Sequence, residues 1–195
     1  MTALPATGQR ALFLDRDGVI NVNYGYVHST ENFDFVDGIF DLVRAARVAG
    51  YRVVVVTNQA GIGRGYYSEE TFHELTDWMC AQFERRGSPI DKVYFSPYHP
   101  TAGVGEYRQN ESTRKPHPGM ILKAHRELGL SLEDSVLIGD KPSDIQAGVA
   151  AGVGLNILFS DDSPSALSGI RYVAVHRLKD AISYLKSADT ASAMR

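Results

Sequence analysis

Two aspartates follow a short apolar run near the start of the chain. The run is Ala11–Leu14, and Asp15-Arg16-Asp17-Gly18 comes directly after it. Carboxylates two positions apart at the end of a buried segment repel each other unless a cation or a hydrogen-bonding partner lies close to them. The spacing therefore indicates a site that binds a cation, a phosphate group or both.

Other apolar runs also end in groups that can do chemistry. Val53–Val56 is followed by Thr57–Gln59, and a later apolar run is followed by Asp140 and Lys141. Parallel strands bring their carboxyl ends to one edge of a sheet, and this is where ligands bind. Lys115, in a long loop just before a predicted helix, can reach the same edge. We expect these side chains to converge.

The converging set predicts phosphoryl transfer. Asp15 and Asp140, with a backbone carbonyl and waters, would form the oxygen-only site that Mg²⁺ takes. Asp15 is then the expected nucleophile, and Asp17 the acid that protonates the leaving oxygen and later accepts a proton from water. Thr57 is expected to hydrogen-bond the phosphoryl group, while Lys115 offsets the carboxylate charge.

The rest of the chain predicts the elements that position these residues. Strands are predicted at Ala11–Leu14, Val53–Val56, Lys92–Phe95, Val136–Ile138, Leu155–Phe159 and Tyr172–Val175. Helices are predicted at Gly38–Ala49, from Ser68 to near Gly87, from Pro118 to Leu128, at Ile145–Ala151 and at Leu178–Leu185. Such alternation predicts an α/β, Rossmann-like open parallel sheet with helices on both faces. We expect one domain over residues 1–195, with its core at about 11–186 and a disordered tail at 187–195.

Composition excludes several functional classes. The chain has 195 residues, and its formal net charge of −3 offers no basic field for nucleic acid. The single cysteine, Cys80, allows no internal disulfide and fits a reducing, cytoplasmic compartment. The N-terminus lacks the apolar stretch of a signal peptide, and no apolar run is long enough to cross a membrane. We expect a monomer with no nucleic-acid or membrane partner.

The motifs resemble those of the haloacid dehalogenase (HAD) superfamily of phosphatases. The resemblance is carried, in the family's order, by Asp15 to Val19, Thr57-Asn58, Lys115 and Gly139 to Lys141. The segments FLDRDGVINVNYGYVH, VVVVTNQAGIGRGYYSEETF, RKPHPGM and IGDKPSDIQAGVAAGV are similar to D-glycero-D-manno-heptose 1,7-bisphosphate 7-phosphatases and to the related histidinol-phosphate phosphatases. This closer resemblance extends from Ala11 to about Phe159.

The resemblance implies an Mg²⁺-dependent phosphatase that works through an aspartyl-phosphate intermediate. It implies that Asp15, Asp140 and the backbone carbonyl of Asp17 hold the metal. It also implies substrate contacts from Asn23, Tyr24, Gly25, Tyr26, Asn58, Gln59, Ala60 and Arg114. Arg64 and Lys141 are further candidates for substrate binding. The connections between motifs are short, so we expect no separate cap domain.

One feature of these relatives is missing from this sequence. Many of them hold a structural zinc through a Cys-x-His pair and a later Cys-x-Cys pair. Here those positions are Ser96, Tyr98, Glu111 and Thr113. Hydroxyl groups and a carboxylate make a poor structural zinc site, so we expect none.

Three functions stay open on the sequence. The first is hydrolysis of the 7-phosphate of the heptose bisphosphate, for nucleotide-activated heptose synthesis. The second is hydrolysis of histidinol phosphate, and the third is sugar-phosphate binding without catalysis. Arg64 and Arg114 favour an anionic or hydroxyl-rich substrate, since arginine binds phosphate in a bidentate manner. Asp17 argues against a pure binding protein, which needs no acid–base group.

Overall fold

The predicted alternation of strands and helices is present in the computed structural model, which describes residues 8–160 and 164–185. The strands are β1 (Gln9–Leu14), β2 (Arg52–Asn58), β3 (Lys92–Ser96), β4 (Leu130–Gly139), β5 (Leu155–Phe159) and β6 (Val173–Val175). The helices are α1 (Ile39–Val48), α2 (Ala60–Gly63), α3 (Glu69–Arg85), α4 (Gly119–Leu128), α5 (Pro142–Ala151) and α6 (Leu178–Ala181). The predicted tail at 187–195 lies outside the described residues.

The six strands form one sheet in the order β3-β2-β1-β4-β5-β6, and every pairing is parallel. The chain moves outward from β1 to β3 and then crosses back to β4 on the other side of β1. This reversal places a topological switch point between β1 and β4, where open α/β sheets bind ligands. The α/β, Rossmann-like prediction is confirmed.

Each face of the sheet carries its own apolar core. Leu12 and Leu14 of β1 point to one face and pack in a cluster with residues of α1, α3 and α6. Ala11 and Phe13 point to the other face and pack with residues of α4 and α5. Because both faces are covered, the buried parts of the strands are continuous apolar runs, and β1 ends just before Asp15 at the sheet edge.

Several elements differ from the sequence prediction. The helix α5 begins at Pro142 rather than Ile145, and α6 ends at Ala181 rather than Leu185. The strand β4 begins at Leu130 rather than Val136, and its first residues pair with Gln9 and Arg10 before the register shifts. The glycine-rich segment after Gln59 forms the short helix α2 where a loop was expected. In the described part of the chain, no helix is long and apolar enough to cross a membrane.

Candidate active site

Asp15 and Asp140 lie at the switch point, each directly after its strand. The backbone N–H of Asp15 donates to the carbonyl of Ile138 at 3.1 Å, which keeps the ends of β1 and β4 together. Gly18 has a φ of 100°, and a Cβ there would lie 2.2 Å from Oδ2 of Asp140. Only glycine therefore lets the loop after β1 approach Asp140 this closely.

Three carboxylates gather at this point, and one of them, Asp144, was not among the carboxylates that the sequence predicted to converge. Oxygens of Asp15, Asp140 and Asp144 all lie within 4.8 Å of one another. Asp144 is in the first turn of α5 and also accepts the backbone N–H of Lys141 at 2.9 Å. Oδ1 of Asp140 is buried without a hydrogen-bond partner. An all-oxygen donor set with an unsatisfied carboxylate oxygen fits Mg²⁺.

Lys115 is buried against this cluster, as expected. Its Nζ lies 2.9 Å from Oδ1 of Asp15 and 2.6 Å from Oδ1 of Asp144, and it donates to the carbonyl of Val56 at 2.7 Å. Burial acts to lower the pKa of Lys115, but the contacts with Asp144 and Asp15 outweigh it and leave this pKa above its ordinary value. The ammonium group therefore stays charged.

One buried ammonium does not balance three carboxylates. Burial raises the pKa of Asp15, and the charge of Lys115 partly opposes this shift. Burial and then the charge of Asp15 raise the pKa of Asp140 to about 7. Both shifts mean that the carboxylates resist ionising together in the absence of further positive charge. The site is thus electrostatically prepared for a cation.

The carboxylate of Asp17 lies outside this cluster and has its own set of donors. Arg16 is 1% exposed and donates through Nη2 to both oxygens of Asp17, at 2.9 and 3.0 Å. Asn21 donates to Oδ1 at 3.1 Å, and Gln59 donates to Oδ2 at 2.9 Å. Gln59 also donates to Oγ1 of Thr57 at 2.9 Å. Two of the residues expected to act in catalysis, Asp17 and Thr57, are therefore bridged by one side chain.

Asn58 has a different environment from the one expected near the phosphate. Its Nδ2 donates to the carbonyl of Lys115, and its Oδ1 accepts the backbone N–H of Lys115, both at 3.0 Å. The side chain thereby fixes the backbone of the residue that contacts Asp15. Asn58 and Gln59 lie beside the predicted site, but their amide groups are used by the protein itself.

Two arginines expected to bind substrate, Arg64 and Arg114, lie close to each other. The guanidinium carbon of Arg64 lies 5.6 Å from the ring centre of Tyr26. Arg114 donates to the carbonyl of Tyr98 at 2.9 Å. Burial and then the charge of Arg64 lower the pKa of Arg114, so the two positive groups are close enough to repel. Among the described residues, neither arginine forms an ion pair with a carboxylate.

The remaining part of the loop at 23–26 is more exposed. Tyr24 donates its hydroxyl to Oδ2 of Asp34 at 2.8 Å, which holds the ring at the surface. Oδ1 of Asn23 accepts the backbone N–H of Gly25 at 3.1 Å, closing a tight turn. This turn presents Tyr26 towards Arg64, whereas Tyr24 is tied to Asp34.

The last two candidates for substrate binding lie at helix starts. Ala60 begins α2, directly after Gln59. Lys141 precedes α5, and its Nζ lies 3.7 Å from Oδ2 of Asp140 with the side chain 51% exposed. Lys141 thus places a half-exposed ammonium group next to the carboxylate cluster.

The four positions where the resemblance places zinc ligands make ordinary side-chain contacts here. Oγ of Ser96 accepts the hydroxyl of Thr113 at 3.3 Å. Glu111 accepts both the backbone N–H and the hydroxyl of Ser112 at 3.0 Å. Tyr98 packs its ring near another tyrosine. Each of the four side chains has a partner within the loop.

Backbone contacts hold the loop at 96–116 against the rest of the protein. The N–H of Val104 donates to the carbonyl of Gly63 at 2.8 Å, and that of His99 donates to the carbonyl of Tyr107 at 3.0 Å. The hydroxyl of Tyr107 donates to Glu69 of α3 at 3.1 Å. The bonds to Gly63 and Glu69 join the loop to α2 and α3, and the bond between His99 and Tyr107 closes the loop on itself.

We therefore predict that the purified protein contains far less than one zinc per chain. Within residues 8–160 and 164–185, the Asp15 cluster is the one group of metal-binding side chains close enough to share an ion, and no residue of 96–116 belongs to it. Elemental analysis after purification without added metal checks this. Activity should require Mg²⁺ and survive a zinc-selective chelator. Stoichiometric zinc whose removal lowers the melting temperature would contradict the prediction.

Comparisons with known proteins agree with this geometry. A family model described as HAD-hydrolase-like matches residues 112–157. The D-glycero-alpha-D-manno-heptose-1,7-bisphosphate 7-phosphatase of Burkholderia mallei is 53% identical over 176 residues, which cover 90% of this chain and 93% of that protein. The D-glycero-beta-D-manno-heptose-1,7-bisphosphate 7-phosphatase of Escherichia coli K12 is 47% identical over 154 residues, which cover 79% and 81%. The crystal structure of D,D-heptose 1,7-bisphosphate phosphatase from B. bronchiseptica, complexed with magnesium and phosphate, aligns with a TM-score of 0.78 at 25% identity, covering 90% of this chain and 97% of that chain.

Proposed function

The chain belongs to the heptose-1,7-bisphosphate 7-phosphatase family of HAD-like hydrolases, and from this we propose that it removes the 7-phosphate of a D-glycero-D-manno-heptose 1,7-bisphosphate. It is a phosphoric monoester hydrolase. Its product would be a heptose 1-phosphate, the form that a nucleotidyl-transfer reaction can activate. The residues that carry the reaction are proposed below from their positions.

Asp15 is the proposed nucleophile. A carboxylate oxygen of Asp15 attacks the phosphorus, and the bond between phosphorus and the oxygen on C7 breaks. The leaving oxygen takes a proton from Asp17, which gives the free hydroxyl and an aspartyl phosphate on Asp15. Asp17 then accepts a proton from a water molecule that attacks the phosphorus, and this step releases inorganic phosphate and restores Asp15.

Lys115 and Thr57 are proposed to hold the phosphoryl group. The ammonium group of Lys115 is already fixed by Asp15, Asp144 and a backbone carbonyl. Both groups are therefore oriented before the substrate arrives, which is how polar groups stabilise developing charge most effectively.

Asp15 and Asp140, together with the backbone carbonyl of Asp17, would hold Mg²⁺, and Asp144 lies beside them in the same group of oxygens. When bound, the ion supplies the positive charge that lets an anionic phosphate approach an anionic nucleophile. The orphaned oxygen of Asp140 is the observation in this structure that fits such an ion.

The observation that carries the choice of substrate is the pair of Arg64 and Arg114. Two partly buried guanidinium groups that have no acidic partner among residues 8–160 and 164–185 favour a ligand that brings a second negative charge. A heptose 1,7-bisphosphate keeps its 1-phosphate throughout the reaction. Histidinol phosphate instead carries an ammonium group, which this pair would repel. The non-catalytic alternative is set aside because the relatives are named as phosphatases.

We expect kcat/KM for the heptose bisphosphate to exceed that for histidinol phosphate by far. Arg64→Met and Arg114→Met should each raise KM for the bisphosphate by about tenfold to hundredfold, the equivalent of one lost charge-assisted hydrogen bond. The KM for heptose 7-phosphate should change little, because that substrate lacks the 1-phosphate. Steady-state phosphate release measures both effects.

A matched control is Arg44→Met, which removes an exposed arginine that pairs with Asp41 on α1. It should leave both KM values unchanged. Both anomers of the bisphosphate should be assayed, because the two relatives are named for different anomers. A higher kcat/KM for histidinol phosphate than for either anomer would reverse the choice of substrate.

We also propose a cytoplasmic monomer without a nucleic-acid or membrane partner. The single cysteine supports a reducing compartment, and the net charge of −3 argues against a polyanion as partner.

A further inference from the structure

The amide group of Gln59 is buried and uses both of its N–H groups and its carbonyl oxygen. The residue is 1% exposed. Nε2 donates to Oδ2 of Asp17 and to Oγ1 of Thr57, each at 2.9 Å. Oε1 accepts the hydroxyl of Tyr67 at 2.6 Å. No N–H of this amide is left to bind a substrate.

The orientation of this amide is fixed from both sides. A carboxylate can only accept hydrogen bonds, so the NH₂ group must face Asp17. Tyr67 donates to the carbonyl oxygen on the other side. Because Nε2 also donates to Oγ1 of Thr57, the hydroxyl proton of Thr57 remains available for another acceptor. A phosphoryl oxygen is the acceptor that the proposed reaction brings.

Tyr67 is itself held firmly in place. Its ring stacks on His28, with ring centres 5.1 Å apart and planes 7° from parallel. A Cβ at Gly61 would lie 2.3 Å from this ring, so the tyrosine rests on bare backbone at the start of α2. Burial raises the pKa of Tyr67 to about 12, which keeps the hydroxyl protonated and able to donate.

Gln59 differs from the other donors to Asp17 in where it comes from. Arg16 and Asn21 belong to the same loop as Asp17, so their hydrogen bonds to its carboxylate stay within that loop. Gln59 directly follows β2, the strand that carries Thr57. It is therefore the donor that sets the position of the Asp17 carboxylate relative to the rigid sheet.

We propose that Gln59, locked by Tyr67, is a positioning residue that aims the Asp17 carboxylate and the Thr57 hydroxyl at the reacting phosphate. This inference rests on the proposed function, since it assigns Gln59 a role in that reaction. It acts through its two neighbours, touching neither the leaving oxygen nor the phosphorus.

The test replaces Gln59 by leucine, which has a similar volume and no hydrogen bonds. For the heptose bisphosphate, kcat should fall by about tenfold to hundredfold, the usual loss when a supporting hydrogen bond behind a reactive group is removed. KM should stay within about threefold. The two substrates are compared in the step that forms the aspartyl phosphate, measured by single-turnover release of the leaving group. In this step the loss on p-nitrophenyl phosphate should be clearly smaller than the loss on the heptose bisphosphate, because p-nitrophenolate leaves without protonation and only the Thr57 contribution is lost.

Tyr67→Phe provides a second variant that removes only the lock. Its activity should also fall more on the heptose bisphosphate than on p-nitrophenyl phosphate, but the loss should be only about several-fold, because the amide can still reach Asp17. Tyr94→Phe is the matched control, since Tyr94 is buried and donates to Glu127 on the other face of the sheet. Gln82→Leu on α3 is the control for loss of a glutamine. Neither control should change the ratio of the two activities.

A double-mutant cycle with Asp17→Asn identifies the route of the effect. If Gln59 acts through Asp17, adding Gln59→Leu to Asp17→Asn should lower the rate on the heptose bisphosphate by no more than it lowers the rate on p-nitrophenyl phosphate. A raised KM with unchanged kcat would overturn the inference, because Gln59 would then bind substrate directly. Equal losses on both substrates in both backgrounds would also overturn it. If Gln59→Leu fails to fold, Tyr67→Phe and its control decide by the same ratio.

The inference can fail separately from the proposed function. If the unmodified protein does not hydrolyse the heptose bisphosphate but cleaves p-nitrophenyl phosphate and another alkyl phosphate, the substrate assignment fails. The same comparison is then made with that alkyl phosphate, and the ratio of losses still supports or overturns the role of Gln59.

Discussion

Asp15→Asn is expected to abolish turnover, lowering kcat by more than about ten-thousand-fold. The amide has the shape of the carboxylate but cannot attack phosphorus, so the covalent route is lost. The substitution also removes one charge from a buried group of three acids, so we expect the fold to be retained. Phosphate release measures kcat, and acid-quenched samples with labelled substrate show whether phosphoenzyme forms.

Two further variants make this result decisive. Asp15→Ala cannot revert by deamidation, and should be equally inactive. Asp41→Asn removes an exposed carboxylate on α1 and should keep full activity. If the folded Asp15→Asn protein released phosphate or formed phosphoenzyme at the normal rate, Asp15 would not be the nucleophile.

Most of the sheet could be predicted from the sequence, because strands covered on both faces are continuous apolar runs. The exception is the start of β4. Glu133 and Asp134 are exposed within this strand and break the apolar pattern, so the strand is recognisable only from its pairing with β1. The helix α2 was missed because its glycines disfavour a helix locally. Contacts from Tyr67 and from the loop at 96–116 hold it in place.

The elements of the site followed from the same pattern, but the directions of its side chains did not. Asp15, Asp140 and Lys115 converge because the carboxyl ends of parallel strands share one edge of the sheet. Asp144 was missed because an acid in the first turn of a helix is usually a cap, and here it caps α5 while also contacting Lys115. That Gln59 faces Asp17 depends on Tyr67, eight residues further along the chain.

Asp17→Asn should lower kcat on the heptose bisphosphate by about a hundredfold to ten-thousandfold, the usual contribution of general acid–base catalysis. An alkoxide leaves poorly without a proton, whereas p-nitrophenolate does not need one. The loss on p-nitrophenyl phosphate should therefore be much smaller in the step that forms the aspartyl phosphate. The rate of p-nitrophenol release in single-turnover experiments isolates this step from the later attack by water.

Asp17→Asn also disturbs a set of hydrogen bonds, and this effect must be separated from catalysis. Arg16, Asn21 and Gln59 all donate to Asp17, so an amide NH₂ group at this position would meet a donor. We expect a lower melting temperature, because one buried donor loses its acceptor. Adding Gln59→Glu restores a donor–acceptor pair, because the NH₂ group of the new asparagine would donate to the new glutamate carboxylate. This second substitution should recover part of the melting temperature. Activity on the heptose bisphosphate should stay low in this double variant, because no proton donor faces the leaving oxygen. If activity returned together with stability, Asp17 would be a structural residue and the acid–base group would lie elsewhere.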